Sequence, residues 1–538
     1  MHKSKLLLSI ISGILLSIAW PADGIPYFIF VAFIPLFQLE HIISKHSKRP
    51  LLSLFAYTYL SLFLWNLLCT WWIWNSTAFG AIMAILLNSL FMSLVWVLFS
   101  MSKKHFNHHK NAIYLLPILW VAFEYLHLDW DLSWSWLNIG NVFANHPYAI
   151  QWYEYTGTLG GSWWIFILNI LLYQFLRKAV SEKLKMPQVI KASLPSLSVL
   201  FLPLLFSLYT YFKYEEKGIP TEVVVVQPNM DPWSEQFDSP PQEVIDRMIK
   251  LSEPLISEET QFWVAPESAI QEGIQEPNME VGYGKGVSLP KLQDFMHNFP
   301  QLQMVVGAST YQFLEEETST SRQTEQGVIY DEYNTALLMN ASKVEDVYHK
   351  SKLVPGPEKM PFKKLLKPLQ EQAFDLGGTV GSLGYDIERK VFYSKKGIGA
   401  APLICYESIY GEFVTEFVRN GAQILFVITN DGWWGDSPGH QQHLSFSRLR
   451  AIECRRAVAR SANTGISGFV NQRGDLIEST SYWVEDARKA TLMANDQQTT
   501  YVKYGDVLGR SSVFLSVLFI LIGITVYFKG EKTADEKL

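Results

Sequence analysis

Three short stretches decide the fold, and each sets one reactive residue beside an apolar run: APESAI (265–270), YHKSKLVPGPEKMPF (348–362) and PLICYESIYGE (402–412). The reactive residues are Glu267, Lys350 and Cys405. A sheet-based enzyme brings residues from separate strands together at a common strand edge. A carboxylate, an ammonium and a thiol at one such edge predict acyl transfer through the thiol.

The block around these motifs, 213–510, has the pattern of a globular α/β domain. Continuous apolar runs predict strands covered on both faces, at 221–229, 260–268, 302–310, 333–340, 401–408, 422–431 and 467–475. Helical spacing predicts helices over 241–256, 288–299, 408–420 and 440–461. Because the two types alternate, we expect a layered α/β sandwich. Stretches 271–287 and 311–328 are polar and aperiodic, which predicts surface loops that could act as lids.

Outside this block the chain is strongly apolar. Hydrophobic residues make up 49% of the 538 residues and charged residues only 18%, which is unusual for a purely soluble protein. Apolar runs near the ~20 residues that cross a bilayer predict eight spans, at 6–20, 26–39, 51–74, 76–101, 112–128, 160–176, 193–212 and 511–528. The first run also suits a cleaved signal peptide, but seven further runs favour a retained helix.

Lysine and arginine occur in alternate short loops, namely 41–50, 102–110, 177–185 and 529–538. The positive-inside rule places these loops in the cytoplasm and the large polar block on the outer side. The predicted organisation is a transmembrane domain of seven helices (1–212), an extracytoplasmic catalytic domain (213–510), and a C-terminal transmembrane helix with a cytoplasmic tail (511–538).

Tryptophan and tyrosine concentrate near the predicted span ends, above all in the segment 129–158. An aromatic belt at the headgroup level explains such residues. The segment is too long for a simple turn, so a cover over a lipid-binding cleft is a second interpretation, and the sequence leaves both open.

Charge and cysteine content exclude other classes. A net charge of −6 argues against nucleic acid as a partner, and three cysteines cannot form a disulfide framework. Cys69 lies in a predicted span and Cys454 in a predicted helix, so both are expected to be buried packing residues. His440 and His443 share that helix without a third ligand at metal spacing, which predicts surface or capping roles.

The three reactive residues suit one another chemically. A thiol with a pKa of about 8.5 needs help to become a nucleophile at neutral pH. The predicted helix that begins at Ser408, together with Lys350, would favour the thiolate, and Glu267 would accept the proton. Lys350 and the backbone N–H after Cys405 would stabilise the oxyanion of a tetrahedral intermediate. Taken singly, each residue has an ordinary structural explanation; their order and shared context carry the hypothesis.

The order of PES, YHK with LVP and a second glutamate, CYES and NDGWWG (430–435) resembles the nitrilase superfamily with its Glu–Lys–Cys triad. With membrane spans on both sides of that block, the chain is similar over essentially its whole length to the bacterial apolipoprotein N-acyltransferase family. The resemblance implies a nitrilase-like αββα sandwich joined to a polytopic α-helical membrane domain of about eight spans.

The resemblance also implies a reaction. Cys405 would take a fatty acyl chain from a membrane phospholipid as a thioester. The chain would then pass to the free α-amino group of the N-terminal diacylglyceryl-cysteine of an apolipoprotein. Glu267 would be the general base and Lys350 the transition-state stabiliser, with no metal or other cofactor. A monomer in the bacterial inner membrane is expected, with its catalytic domain facing the periplasm and no nucleic acid partner.

Further site residues follow from the same resemblance. Glu358 matches a second essential glutamate, and Tyr406 and Glu407 are expected to support the nucleophile. Trp233 is a candidate for lipid binding. Three more residues are expected to shape the substrate pocket, although strand-end packing explains them equally well: Asn430, Asp431 and Trp434.

One feature departs from the family pattern. Gly356 and Pro357 precede Glu358, where the family usually has Phe-Gly. A different backbone path is therefore expected for the loop after Lys350.

Two other functions remain open at this point. A membrane-anchored amidohydrolase would use the same triad but release its acyl group to water. A transporter or scaffold with an inactive outer domain would instead need ionisable residues within the spans, and Glu124 is the candidate. The eight predicted spans favour acyl transfer between membrane-bound substrates, because hydrolysis of a soluble amide would need at most one anchor.

Overall fold

The computed structural model describes residues 2–105, 110–276, 278–279, 286–362 and 382–535. The chain divides into two compact units. The first contains Met1–Trp74, Ala78–Phe212 and Asp506–Leu538, and the second contains Asn75–Thr77 and Lys213–Gly505.

The first unit is helical. Six of its helical segments are long and apolar enough to cross a membrane: Pro26–His46, Pro50–Asn75, Ala78–Lys104, Tyr153–Glu182, Met186–Lys213 and Val507–Thr525. The first and fifth predicted spans correspond to shorter apolar helices, His2–Ile18 and Asn111–Leu126. The membrane character is thus confirmed, whereas the number of eight spans stays a prediction.

Buried polar side chains tie this unit together internally. The Asn169 amide donates to the Ile29 carbonyl at 2.9 Å and accepts from the Phe33 N–H at 3.0 Å. The aromatic segment 129–158 contains a buried 3₁₀ turn, Ile139–Phe143, whose first N–H donates to Glu124 at 2.7 Å. Glu124 therefore has a packing role inside the unit, since it anchors this segment.

The second unit contains the described strands. They are β1 (Ile219–Gln227), β2 (Thr260–Val264), β3 (Ile270–Glu276), β4 (Gln303–Leu314), β5 (Arg322–Gln323), β6 (Ile329–Met339), β7 (Val344–His349), β8 (Phe392–Tyr393), β9 (Gly399–Ile404), β10 (Ile424–Thr429), β11 (Ala457–Ala462), β12 (Gly468–Val470), β13 (Leu476–Ile477) and β14 (Asp486–Ala494).

These strands form two sheets. The first has the order β14-β1-β2-β4-β6-β5, with β3 on β4 and β7 on β6, and the second has the order β13-β12-β11-β10-β9-β8. Strands β1, β2 and β4 run parallel, as do β9, β10 and β11. Residues that follow these parallel strands consequently collect at one edge of each sheet, where ligands of open α/β sheets bind.

Helices cover the outer faces of both sheets. Helices Pro241–Ser252 and Ser288–Met296 bury their apolar sides on the first sheet, in one core with β1, β2 and β4. On the second sheet lie Gly411–Arg419 and Pro438–Cys454. Between the sheets, the rings of Phe262 and Phe426 meet edge to face at 4.9 Å. The predicted αββα sandwich is confirmed.

Several local predictions were wrong. The helix predicted for 440–461 ends at Cys454, because Arg455 adopts a left-handed φ of 49°, and the chain continues as buried β11. The predicted loop 271–287 begins with β3, and its residues 277 and 280–285 lie outside the described part of the chain. The loop 311–328 contains the end of β4 and all of β5. Pairing with neighbouring strands orders these polar stretches despite their low apolar content.

Candidate active site

Glu267 lies in a tight turn directly after β2. The turn is held to β4 by hydrogen bonds from the Ala265 N–H to the Val305 carbonyl, 2.8 Å, and from the Gly307 N–H to the Pro266 carbonyl, 3.1 Å. Ser268, the next residue, has a left-handed φ of 53°. A Cβ atom on Gly307 would lie 2.6 Å from the Glu267 Cα. The turn can approach β4 this closely only because residue 307 is a glycine.

Lys350 follows β7, and its ammonium joins two carboxylates. Its backbone N–H donates to the Asn334 carbonyl at 2.8 Å, which fixes the start of the side chain. Nζ donates to Glu267 Oε1 at 3.1 Å and to Glu358 Oε1 at 2.7 Å, and the side chain is 1% exposed. Burial acts to lower the pKa of Lys350, but the two carboxylates outweigh it and raise the pKa well above its usual value. Lys350 is therefore an ammonium.

Backbone and amide donors complete the surroundings of the two carboxylates. The Asn334 amide donates to Glu267 Oε1 at 2.8 Å and to Glu358 Oε1 at 3.1 Å. Glu267 Oε2 accepts from the backbone N–H of Asn430 at 3.1 Å, and Glu358 Oε2 accepts from that of Val354 at 2.8 Å. Glu267 is thus oriented by three donors, and a carboxylate held in this way can take a proton in a defined direction.

Cys405 begins a 3₁₀ turn, Cys405–Ile409, directly after β9. It has a left-handed φ of 48° and is partly exposed, whereas Cys69 and Cys454 are buried as predicted. Burial of the thiol raises the pKa of Cys405, the charge of Glu267 raises it further, and Lys350 opposes them. The resting group is consequently a protonated thiol, and a base is needed to remove the proton as the thiol attacks.

Glu407 anchors the turn from within. This fully buried carboxylate accepts from the Ile404 N–H at 2.8 Å, the Ser351 N–H at 2.7 Å and the Tyr348 hydroxyl at 2.6 Å. It thereby links the end of β9 to the segment that carries Lys350. Tyr406 is also buried, with its ring edge to face on Tyr410 at 5.2 Å.

A second buried network lies on the other side of Cys405. Asp431 contacts Arg460 through a short ion pair and accepts from the Thr429 hydroxyl at 2.8 Å. Burial acts to raise the pKa of Asp431, but Arg460 and His443 hold it well below its usual range. Asp431 is wholly buried in this network, which agrees with the packing interpretation, and its role in a substrate pocket stays a prediction. His443 is likewise buried, as is His440, 1% exposed, so the predicted surface position of these two histidines was wrong.

No group of three or more histidine, cysteine, aspartate or glutamate side chains is placed to hold a metal ion in the described ranges. Glu267, Lys350, Glu358 and Cys405 bring two carboxylates, a fixed ammonium and a thiol to one place. These are the types of group that acyl transfer through a thiol uses.

Comparison with known proteins shows the family to which the chain belongs. The sequence model of the carbon-nitrogen hydrolases matches residues 223–501, and that of the apolipoprotein N-acyltransferase N-terminal domain matches residues 12–171. The chain belongs to the carbon-nitrogen hydrolase family. The resemblance drawn from the sequence motifs is thereby confirmed.

Individual relatives extend over most of the chain. It is 28% identical over 533 residues to the apolipoprotein N-acyltransferase of Chlorobaculum tepidum, covering 96% of each chain. It is 27% identical over 417 residues to that of Thermotoga maritima, covering 77% of this chain and 71% of the relative. An amidase structure from Nesterenkonia sp. covers 55% of this chain and 97% of its own length, with 16% identity and a TM-score of 0.37.

The remaining predicted site residues of this carbon-nitrogen hydrolase unit occupy two settings. Asn430 is buried, and its amide donates to Gln236 Oε1 at 2.6 Å. The Trp434 ring lies edge to face on His443 at 5.5 Å. Trp233 is 52% exposed and packs edge to face on Trp433 at 4.9 Å. Asn430 and Trp434 thus contact polar residues that lie next to the Glu267 and Cys405 turns, and Trp233 lies at the surface.

The loop after Lys350 makes a tight turn at the position where the sequence departs from the family pattern. Gly356 adopts a φ of 97°, a conformation that favours glycine, and its N–H donates to the Lys359 carbonyl at 2.8 Å. This tight turn returns Glu358 to the Lys350 ammonium. Residues 363–381 lie outside the described part of the chain.

Sequence reasoning missed three polar residues that hold the Glu267 and Cys405 turns in place. Asn334 bridges the two glutamates, Gln236 joins Asn430 to the Ser268 carbonyl at 3.0 Å, and His443 approaches Cys405. The available signal was a lone amide within an apolar run, as in the stretch YNTALLMN. Such a residue needs a buried partner, but the sequence does not identify which one.

Proposed function

We propose that this protein transfers a fatty acyl chain from a membrane phospholipid to the α-amino group of an apolipoprotein N-terminal diacylglyceryl-cysteine. The observation that carries the proposal is the Lys350 ammonium, fixed between Glu267 and Glu358 beside the thiol of Cys405, a partly exposed residue. The relatives that bear the name apolipoprotein N-acyltransferase along almost the whole chain supply the substrate class.

In the first half-reaction the Cys405 sulfur attacks the ester carbonyl of the phospholipid while Glu267 takes the thiol proton. The carbonyl oxygen becomes an oxyanion, stabilised by Lys350 and the backbone N–H of Tyr406. An ammonium has three N–H donors, and the two glutamates occupy two of them. When the intermediate collapses, the lysophospholipid oxygen leaves with the proton from Glu267, and a thioester remains on Cys405.

In the second half-reaction an amine is the nucleophile and the Cys405 sulfur is the leaving group. The free amine of the apolipoprotein attacks the thioester carbonyl and gives a proton to Glu267. The same donors hold the second oxyanion. The Cys405 sulfur then leaves and recovers its proton from Glu267, so that the amide product forms and the enzyme returns to its starting state.

Transfer is preferred to hydrolysis because both substrates are lipids. Six helical segments have the length and apolarity to span a membrane, and hydrolysis of a soluble amide would need at most one anchor. Trp233 supports the same conclusion, since half-exposed aromatic side chains suit contact with an acyl chain.

We place the protein in the bacterial inner membrane as a monomer, with the unit that contains Cys405 in the periplasm. The support is the alternation of positively charged loops along the sequence. A reporter fused after residue 350 should be active only outside the cytoplasm, and one fused at the C-terminus only inside. Cytoplasmic activity of the first fusion would contradict this orientation.

The proposal is tested by intact-mass analysis of the purified full-length protein with phospholipid. Wild type should gain one fatty acyl group, labile to neutral hydroxylamine, and Cys405→Ala should gain none. The buried cysteines provide matched controls, since Cys69→Ser and Cys454→Ser should still be acylated. A diacylglyceryl peptide with a free amine should discharge the acyl group as an amide, while an N-acetylated peptide should not. Release of free fatty acid at one rate with either peptide would identify a hydrolase.

A further inference from the structure

The backbone of Cys405 is held in a conformation that a non-glycine residue avoids. A left-handed φ such as its 48° is strained and persists only where surrounding contacts enforce it. Glu407 holds the preceding residue through the Ile404 N–H. The peptide after Cys405 needs a hydrogen-bond partner of its own.

That partner lies on the helix Pro438–Cys454. The Cys405 carbonyl accepts a hydrogen bond from the Ser408 hydroxyl at 2.8 Å and lies 3.1 Å from His443 Nε2. The same Nε2 is 3.0 Å from the Ser408 hydroxyl. One imidazole nitrogen therefore contacts both groups that define the turn.

The His443 ring is fixed from behind. Its Nδ1 lies 2.9 Å from Asp431 Oδ1 and 3.1 Å from Arg460 Nη2, and all three side chains are buried. Asp431 and Arg460 are in turn joined to each other. The ring cannot rotate without breaking contacts to two charged groups, so Nε2 stays directed at Cys405.

We propose that His443 is a positioning residue for the nucleophile, donating from Nε2 to the Cys405 carbonyl with its ring held at Nδ1 by Arg460. A carbonyl oxygen can only accept, so this bond places the proton on Nε2. Nδ1 is then the acceptor for Arg460, which is itself paired with Asp431. The inference rests on the proposed function in taking Cys405 as the nucleophile.

The hydrogen bond has a consequence for the oxyanion. The Cys405 carbonyl and the Tyr406 N–H belong to one planar trans peptide, so they point in opposite directions. A donor that fixes the carbonyl also fixes the N–H, the backbone donor in the proposed mechanism. His443 thereby sets the positions of the thiol and of an oxyanion donor together.

Two substitutions separate this role from simple packing. In His443→Gln the terminal amide reaches about as far as Nε2 and can still donate to the Cys405 carbonyl. In His443→Asn the amide ends near the position of Nδ1, so it keeps the contact with Arg460 and loses the hydrogen bond to the Cys405 carbonyl. His440→Asn is the matched control, because His440 lies on the same helix and stacks on Tyr482 at 3.8 Å.

Single-turnover acylation by phospholipid is the first measurement. We expect His443→Asn to slow the acylation step about 100-fold without raising the phospholipid KM, His443→Gln to retain at least about a tenth of the wild-type rate, and His440→Asn to match wild type. Equal rates for the Asn and Gln variants, or losses that follow the fall in Tm in both, would overturn the proposal.

Alkylation of Cys405 by iodoacetamide is the second measurement, and it needs no phospholipid. The Cys405→Ala variant gives the background from the buried cysteines. Alkylation should slow about tenfold in His443→Asn and much less in His443→Gln, because the thiol is displaced from Glu267 only in the former. Wild type that is alkylated normally but gains no acyl group would refute the proposed function, while the ratio between the two variants would still decide the role of His443.

Discussion

The turns that carry Glu267 and Cys405 both contain a strained backbone conformation, but different contacts hold it in each turn. Each follows a strand of a different sheet, and each contains a left-handed non-glycine residue, Ser268 in one and Cys405 in the other. The Glu267 turn is fitted sterically against Gly307 and fixed by the Lys350 ammonium. The Cys405 turn is held by hydrogen bonds, since the Ile404 N–H donates to Glu407 and the Ser408 hydroxyl donates to the Cys405 carbonyl. One turn should therefore be sensitive to volume and charge, and the other to loss of polar partners.

The largest effect is expected from removing the positive charge of Lys350, which contacts Glu267. Lys350→Ala leaves Glu267 and Glu358 buried without their cation, which costs about 3–5 kcal/mol for a broken buried pair. It also removes an oxyanion donor, worth about 100- to 1,000-fold in rate. Acylation should become undetectable and the Tm of the full-length protein should fall.

A surface ion pair supplies the control for that experiment. Lys291 contacts Asp246 at 2.6 Å, but both side chains are substantially exposed. Lys291→Ala should change stability by less than about 1 kcal/mol and leave acylation intact. A fall in Tm as large as that of Lys350→Ala would contradict the view that burial makes the Lys350 pair important.

The second effect tests the volume limit of the same turn. A methyl group at position 307 would lie 2.6 Å from backbone atoms of Pro266, Glu267 and Ser268, so Gly307→Ala must displace the turn. A displacement of about 1 Å at a catalytic group costs on the order of 100-fold, and we expect that loss in single-turnover acylation.

Gly273→Ala on β3 is the matched glycine substitution. Its added methyl group would meet only the Tyr311 ring at 3.5 Å, an ordinary contact. The variant should acylate at the wild-type rate. If Gly307→Ala did the same, the close approach of β4 would have no part in placing Glu267.

The third effect concerns the Cys405 turn. Glu407→Gln preserves the shape of the side chain, but one carboxylate oxygen becomes an NH2 group. That NH2 group would face an N–H or O–H donor that the oxygen now accepts from. An unsatisfied buried donor costs about 1–3 kcal/mol. We expect a roughly tenfold slower acylation and a lower Tm, measured with the same assays. A wild-type rate would show that the turn does not depend on its polar partners.

The structure brings the three predicted reactive residues together, and a physical reason made them visible in the sequence. Glu267 and Cys405 follow the buried strands β2 and β9, whose ends can be read along the chain, whereas Lys350 follows the more polar β7. Their partners Asn334, Gly307 and His443 have no such signature. Gly307 matters only because the backbone of residues 266–268 lies against it, and Asn334 only because two distant glutamates meet there. Such contacts depend on sheet register, which local patterns do not encode.

Burial was the other quantity that the sequence did not reveal. The charges near Cys405 were expected to favour a thiolate, yet desolvation and Glu267 raise the pKa of the thiol. His443 was expected at the surface because histidines on a polar-looking helix usually lie there. The helix Pro438–Cys454 is instead almost entirely buried, since the second sheet and neighbouring helices enclose its polar residues. Helical periodicity cannot distinguish a buried polar face from a solvated one.

The smallest effect concerns a charged contact outside both turns. His349, the residue before Lys350, has Nδ1 2.9 Å from Asp386 and Nε2 3.0 Å from Glu276, and its ring stacks on Tyr333 at 4.0 Å. Burial acts to lower the pKa of His349, but hydrogen bonds and the charges of the two carboxylates outweigh it and raise the pKa to about 9. The imidazolium therefore joins β3, β7 and the segment that contains Asp386.

The sign of the pH dependence follows from that raised pKa. An unfolded histidine titrates near pH 6.5, so the stabilisation from this contact is fully present below about pH 6.5 and is lost as the pH rises through 9. His349→Gln should have a lower Tm than wild type at pH 6, and the difference should shrink by pH 10. His297→Gln, at an exposed position after the helix Ser288–Met296, should show no such trend. A difference between wild type and His349→Gln that stays constant from pH 6 to 10 would mean that the ring contributes by stacking on Tyr333 alone. The charged contacts that stabilise this region would then be only those of Lys350 with Glu267 and Glu358.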